Sequence, residues 1–165
     1  MRGDRILLTG GTGFFGCWLV ESFCHINQAP GLGARMVVLT RNVAGFAAKC
    51  PHVVTNSAIA LYSGDIRSFT FPLANLDMSF MPPTHVPNCG RRSARYLLDN
   101  RRRNGTILQF AAASAARKFL LTSSGAVYAK HPPGMSHVQE SYTGSPNPVD
   151  RESVYGESKP AAEPL

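Results

Sequence analysis

Apolar residues in this chain come in short runs separated by polar and glycine-rich breaks. Ile6–Leu8, Met36–Leu39, Ile59–Leu61 and Phe119–Leu121 are runs of strand length. Helical patterns lie between several of them, around Phe15–Ile26 and Leu108–Arg117. Strands alternating with helices predict βαβ units and an α/β fold with a Rossmann-like, doubly wound parallel sheet in three αβα layers. Pro30-Gly31-Leu32-Gly33 ends the first helix and hands the chain to the second strand. Two stretches break the pattern. Residues 78–106 hold Pro82, Pro83 and Pro87, an arginine cluster and no clean period, just where a fourth buried strand and a long helix belong. Lys130 to Ser153, rich in Pro, Gly, Ser and His, reads as a surface loop on the substrate side.

Composition fits one globular domain spanning residues 1–165, with 44% apolar and 16% charged residues. No apolar run approaches the roughly 20 residues of a membrane span. Met1-Arg2-Gly3-Asp4 enters the first strand at once, which leaves no room for a signal peptide. A cytoplasmic location away from membranes is therefore expected. Cys17, Cys24, Cys50 and Cys89 have no metal-ligand spacing, so reduced thiols and no metal are expected. The net charge of +7 is local: Arg91, Arg92, Arg95, Arg101, Arg102 and Arg103 with Asp99 carry +5 of it. Tyr96 is the only aromatic among them, so a nucleic-acid partner is not expected.

Chemistry concentrates in three places. Thr9-Gly10-Gly11-Thr12-Gly13-Phe14-Phe15-Gly16 lies between an apolar strand and an apolar helix. Glycine lets backbone approach a ligand closely, and a helix N-terminus presents unpaired N–H groups to a pyrophosphate. The bland alternative is a tight turn whose glycines serve only packing. The run Phe119 to Tyr128 is a strand ending in hydroxyls, Thr122-Ser123-Ser124, at the edge where parallel sheets present ligands. In Tyr155-Gly156-Glu157-Ser158-Lys159, helical spacing puts Tyr155 and Lys159 on one face. A phenol of pKa near about 10 is a poor base at neutral pH, and a cation beside it lowers that value. Such pairs also arise on solvated helices; the three motifs in this order are what favour a site.

Together the three motifs resemble the extended short-chain dehydrogenase/reductase superfamily, in particular its NAD-dependent epimerase/dehydratases that act on nucleotide sugars. The resemblance implies that Gly10, Gly13 and Gly16, with Phe14 and Phe15, line the cofactor pyrophosphate. It implies a catalytic triad of Ser124, Tyr155 and Lys159. Tyr155 would carry the hydroxyl proton, Lys159 would lower its pKa and hold the nicotinamide ribose, and Ser124 would bond the reacting oxygen. Asp65 and Ile66 fall where the family binds the adenine. Arg41 stands where NAD-binding members place an acidic residue; it can grip a 2′-phosphate or stack on adenine, so NAD and NADP both stay open. A nucleotide sugar is the implied substrate, and a homodimer is compatible with the full-length family. No Asp-Glu pair follows Ser124, which counts against a 4,6-dehydratase.

The chain departs from this pattern twice. At strand four the family carries a motif like D-x-V-I-H-A-A, and here Asp77 is followed by Met78-Ser79-Phe80-Met81-Pro82-Pro83. One legal coding of Asp77 to the start of Pro83, GAC ATG TCA TTC ATG CCG CC, becomes GAC TAT GTC ATT CAT GCC GCC when one T is restored. That reads D-Y-V-I-H-A-A, so a frameshift beginning near residue 78 is expected, with the frame regained by about Ile107 and the fold disrupted at strand four. The chain also stops at Leu165, whereas the family runs to roughly twice this length. A truncated N-terminal fragment without the C-terminal substrate part is expected, with helix Ser153–Leu165 cut short and burdened by Pro160 and Pro164. Such a partial chain need not be active, and a dinucleotide-binding module without catalysis is the alternative.

Overall fold

The computed structural model describes residues 2–68, 76–81, 93–128, 131–147, 149 and 154–159. In chain order they form β1 (Arg5–Thr9), α1 (Phe14–Ile26), β2 (Arg35–Thr40), α2 (Val43–Lys49), α3 (Pro51–Val54), β3 (Ile59–Ser63), β4 (Met78–Met81), α4 (Ser93–Ala113), β5 (Lys118–Leu121), a 3-10 turn (Gly125–Tyr128) and α5 (Val154–Ser158). The strands make one sheet in the order β3-β2-β1-β4-β5, with every pairing parallel. This is the Rossmann order, as the alternation of strands and helices predicts.

The central strands β1 and β2 are buried on both faces of the sheet, and β1 shows why its sequence is a continuous apolar run rather than an alternating one. Ile6 and Leu8 pack with Val20 and Phe23 of α1, Phe46 of α2 and Val53 of α3. Leu7, between them, points the other way and packs with Leu39, Leu76 and Ile107 of α4. The α1–β2 connection is closed by Asn27, whose side chain donates to the Ala34 carbonyl and accepts from the Ala34 N–H, each at 3.0 Å. Asn42 caps α2 by accepting from the Gly45 N–H at 2.8 Å.

The window expected to be disrupted is partly regular. β4 pairs in register with β1 on one side and β5 on the other, Leu7 facing Ser79 and Phe80 facing Leu120. Ladder hydrogen bonds come from the backbone, so pairing does not need the side chains of D-x-V-I-H-A-A. Asp77 anchors the strand's start. Its N–H donates to the Arg5 carbonyl, its carboxylate accepts from the Arg5 N–H, and Arg117 joins Asp77 to Asp4 at 2.9 Å each. Pro82, Pro83, Pro87, Cys89, Arg91 and Arg92 lie outside the described residues.

Two helices differ from expectation. α4 starts at Ser93 and takes in the last four arginines of the cluster, a stretch expected to lack helical order, and it stops at Ala113 rather than Arg117. Ala115 adopts a left-handed φ of 51°, and the Ala116 N–H donates back to the Ala111 carbonyl at 2.9 Å, a closure that ends the helix. α5 spans only Val154–Ser158, and Lys159 closes it with a turn bond from its N–H to the Gly156 carbonyl. Pro160, Pro164 and the rest of the expected Ser153–Leu165 helix lie outside the described residues. No helix among the described residues is long and apolar enough to cross a membrane. The chain divides into two compact units, Met1–Thr84 with Thr106–Thr122, and His85–Gly105 with Ser123–Leu165.

Candidate active site

In the first unit, β1 runs straight into the glycine turn at the point where the strand order reverses between β2 and β4. In open α/β sheets that reversal opens a crevice at the carboxyl ends of the strands. Gly10 takes φ +67°, and the Gly13 N–H donates to the Gly10 carbonyl at 3.0 Å. Gly13 then caps α1 with an extended backbone and no side-chain cap, leaving the first-turn N–H groups of the helix to an external acceptor. A Cβ at Gly16 would stand 2.2 Å from the Gly10 oxygen, so this glycine is consumed by the turn itself. At Gly13 a Cβ would meet only that same oxygen, at 3.3 Å, with open space beyond. That opening suits the pyrophosphate of a dinucleotide. Phe14 and Phe15 are exposed with their rings edge to face at 5.4 Å, so what they offer a phosphate is backbone N–H. Gly11 escapes the reading of the sequence, yet a Cβ there would stand 2.5 Å from Val38 Cγ1; the doublet Gly10-Gly11 was its signal.

At the neighbouring strand ends, the Gly64 N–H donates to the Thr40 carbonyl at 3.0 Å and joins the exits of β2 and β3. Asp65 follows, half-buried, with its carboxylate gripped by Arg67 through Nε at 2.9 Å, Nη2 at 2.6 Å and the backbone N–H at 2.9 Å. The Arg67 side chain is the main reason its pKa falls to about 2, with burial opposing and the Arg67 N–H and the charge of Arg41 assisting. Arg41 is exposed, and Ile66 packs against the apolar cluster behind β1 and β2. Asp65 Oδ2 keeps a lone pair for a further donor.

In the second unit, the 3-10 turn begins one residue after Ser124. The Ser124 hydroxyl accepts from the Ala126 N–H at 3.2 Å and its carbonyl from the Val127 N–H at 3.1 Å, which fixes the residue in place. Gly156 brings α5 onto this turn: a Cβ there would stand 2.5 Å from the Ala126 carbonyl and 2.8 Å from Pro146. Only glycine permits that approach, and a glycine inside a helical pattern was its sequence signal. Just past the end of α5, Lys159 is buried and its Nζ lies 5.6 Å from the ring centroid of Tyr155 on that helix. Ser123, Ser124, Gly125, Val127, Tyr128, Gly144 and Ser145 line a cleft of about 410 Å³. Tyr128 and Gly144 belong to this wall and were not singled out in the sequence, where nothing marks them off from other loop residues.

The family model described as the NAD dependent epimerase/dehydratase family matches residues 6–165. The chain belongs to this family. No curated protein matches it by sequence. Among solved structures it is similar to the UDP-Glc/GlcNAc 4-epimerase from Campylobacter jejuni, at 19% identity and TM-score 0.78, covering 98% of this chain and 47% of that one. It is similar to the UDP-glucuronic acid 4-epimerase from Bacillus cereus in complex with NAD, at 22% identity and TM-score 0.73, over 96% of this chain and 50% of that one. The dTDP-glucose 4,6-dehydratase DesIV from Streptomyces venezuelae, with NAD and TYD bound, matches at 23% identity and TM-score 0.73, over 96% and 49%. The chain thus spans about half the length of these structures.

Proposed function

We propose that this chain is the dinucleotide-binding part of an enzyme that transforms a nucleotide sugar, with the cofactor pyrophosphate held at the Gly10–Gly16 turn. The observation that carries the reading is the uncapped start of α1 at the strand-order reversal, with space left open at Gly13. In this reading the N–H groups of Phe14, Phe15 and Gly16 bond the pyrophosphate, and Asp65 Oδ2 accepts from the adenine amino group. Arg41 stacks on the adenine or meets a 2′-phosphate. The family is NAD-dependent, and the charge of Arg41 leaves NADP as a competitor to be measured. When bound, the dinucleotide supplies a reversible hydride acceptor. Tyr155 carries the proton of the sugar hydroxyl, Lys159 places positive charge beside it, and Ser124 donates to the reacting oxygen. Epimerisation is favoured over 4,6-dehydration because Gly125 and Ala126, not an Asp-Glu pair, follow Ser124.

Calorimetric titration of the chain with NAD and with NADP, repeated on Gly13→Val, tests the cofactor part. Valine fills the opening at residue 13, so binding is expected to drop at least tenfold, about 1.4 kcal/mol; equal affinity for both proteins would reduce the turn to a packing device. A second reading, a dinucleotide-binding module without catalysis, draws support from Lys159. Its ammonium lies toward the ring of Tyr155, and its backbone has already left the helix.

A further inference from the structure

At the exit of β3 the chain folds back on itself in Gly64-Asp65-Ile66-Arg67-Ser68. The Ser68 N–H donates to the Asp65 carbonyl at 3.0 Å, which closes a turn and returns Arg67 to the Asp65 side chain. Three donors of Arg67 then share one carboxylate. Oδ1 accepts from the Arg67 backbone N–H and from Nε, each at 2.9 Å, and Oδ2 accepts from Nη2 at 2.6 Å. A carboxylate offers about four lone-pair sites over its two oxygens, so Oδ1 is filled and Oδ2 has one site left. No other hydrogen-bond donor among the described residues reaches Asp65. The fork also fixes direction. Nε and Nη2 belong to one planar group and hold both oxygens against it, so the remaining lone pair has a single orientation. The Asp65 side chain is 24% exposed, which leaves it within reach of a ligand.

On the reading that the adenine amino group meets Asp65 Oδ2, we propose that Arg67 is a positioning residue that makes this strand edge select a 6-amino purine over a 6-oxo purine. One fixed lone pair accepts an N–H. It cannot serve a carbonyl, which is itself an acceptor. Nor does the carboxyl hold a proton to donate, because the Arg67 side-chain bonds, above all, bring its pKa to about 2. A 6-oxo group set against Oδ2 therefore meets a negative charge and stays unpaired, which is the costly arrangement for a polar group at a binding site. With methionine at 67 only the backbone N–H bond to Oδ1 remains. The carboxylate is then free to turn about its Cβ–Cγ bond and to let water bridge to a 6-oxo group, so the preference relaxes. An Arg67 that merely closed the turn would treat the two purines alike.

The test is calorimetric titration of the 165-residue chain at pH 7 with NAD and with nicotinamide hypoxanthine dinucleotide, in which a 6-oxo group and its N1 proton replace the 6-amino group. The wild type is expected to prefer NAD by about ten- to a hundredfold, the scale of one polar group left unpaired. Arg67→Met should erase most of that preference, and Arg67→Lys, which keeps the charge without the planar fork, should regain only part of it. Any unfolded fraction in a variant weakens both dinucleotides by the same factor, so the ratio of affinities still reads selectivity. A ratio in Arg67→Met equal to wild type, a full recovery in Arg67→Lys, or a wild type that binds both dinucleotides equally would overturn the proposal. Asp65→Ala separates the role of Arg67 from the adenine placement. If Asp65→Ala loses the preference while Arg67→Met keeps it, the adenine stays at Asp65 and the role of Arg67 falls. If Asp65→Ala keeps the preference, or the wild type binds neither dinucleotide, the placement itself falls and takes the role of Arg67 with it.

Discussion

A methyl group at Gly16 would land 2.2 Å from the Gly10 carbonyl oxygen and 2.5 Å from Gly11 Cα, whereas one at Gly13 would sit 3.3 Å from that oxygen and touch nothing else. Backbone cannot retreat at Gly16 without opening the turn. Gly16→Ala is therefore expected to cost more than about 2 kcal/mol, and Gly13→Ala about 1 kcal/mol, through the poorer cap alone. Urea midpoints of the two variants check this; equal losses would show the turn to be softer than its geometry implies. Asp65 gives a second residue-scale outcome. Its folded-state pKa of about 2 lies below the unfolded value of about 4, so its stabilising contribution is complete above about pH 4 and lost as pH falls through about 2. Arg67 is partly exposed, and solvent screening reduces the contribution to about 1 kcal/mol. Arg67→Met should lower the midpoint at pH 7 and match wild type near pH 2. Glycine spacing and the Tyr155–Lys159 pair were legible in the sequence because each is a local pattern. The grip of Arg67 on Asp65, only two residues away, was equally local and was missed, since an Asp-Ile-Arg triplet carries no mark of which way its side chains turn.

At the scale of elements, four strands could be read from apolar runs; in β1 and β2 that signature reflects burial on both faces, whereas β3 and β5 keep short apolar runs although most of their residues are only partly buried or exposed. α2 and α3 were not legible: they are short, and Cys50-Pro51 between them reads as a break. α4 is the more telling case. Asn100, Asn104, Ile107, Ala111 and Ser114 are buried positions spaced three or four apart, so they form one inward stripe. Ile107 in that stripe belongs to the apolar cluster behind β1; before it, the buried residues are amides, and Arg103 Nε is buried with no hydrogen-bond partner among the described residues. The polar half of the stripe lies inside residues 78–106, and we propose an out-of-frame reading of that window, which would also account for Met78-Ser79-Phe80-Met81 where the family carries its strand-four motif. Sequencing the gene from independent samples is expected to show a single-base loss near codon 78 and a compensating change before codon 107. Restoring the frame should lower the charge of 91–103, extend the apolar stripe along α4 and raise the unfolding midpoint. An intact frame in every sample would end this explanation and leave the buried asparagines as native design.

At the scale of the whole molecule, the matched structures are about twice as long as this chain, so its residues correspond to about half of each. Positioning decides what the Ser124, Tyr155 and Lys159 set can do. Well-oriented groups supply roughly 7–11 kcal/mol of a barrier, and a displacement of about 1 Å costs on the order of a hundredfold. Here Tyr155 stands on a five-residue helix, and Lys159 lies just past it, in the turn that ends it. The 165-residue chain is therefore expected to show no measurable turnover of UDP- or dTDP-sugars, even under conditions where it binds dinucleotide. With the reading frame restored and a C-terminal half of the family attached, turnover should appear. Tyr155→Phe should then remove it, because phenylalanine keeps the ring that packs near Lys159 and deletes only the oxygen that carries the proton. Steady-state assays with both nucleotide classes distinguish the cases: turnover by the unextended chain would show that these residues suffice as placed, and an active Tyr155→Phe enzyme would strip Tyr155 of its role.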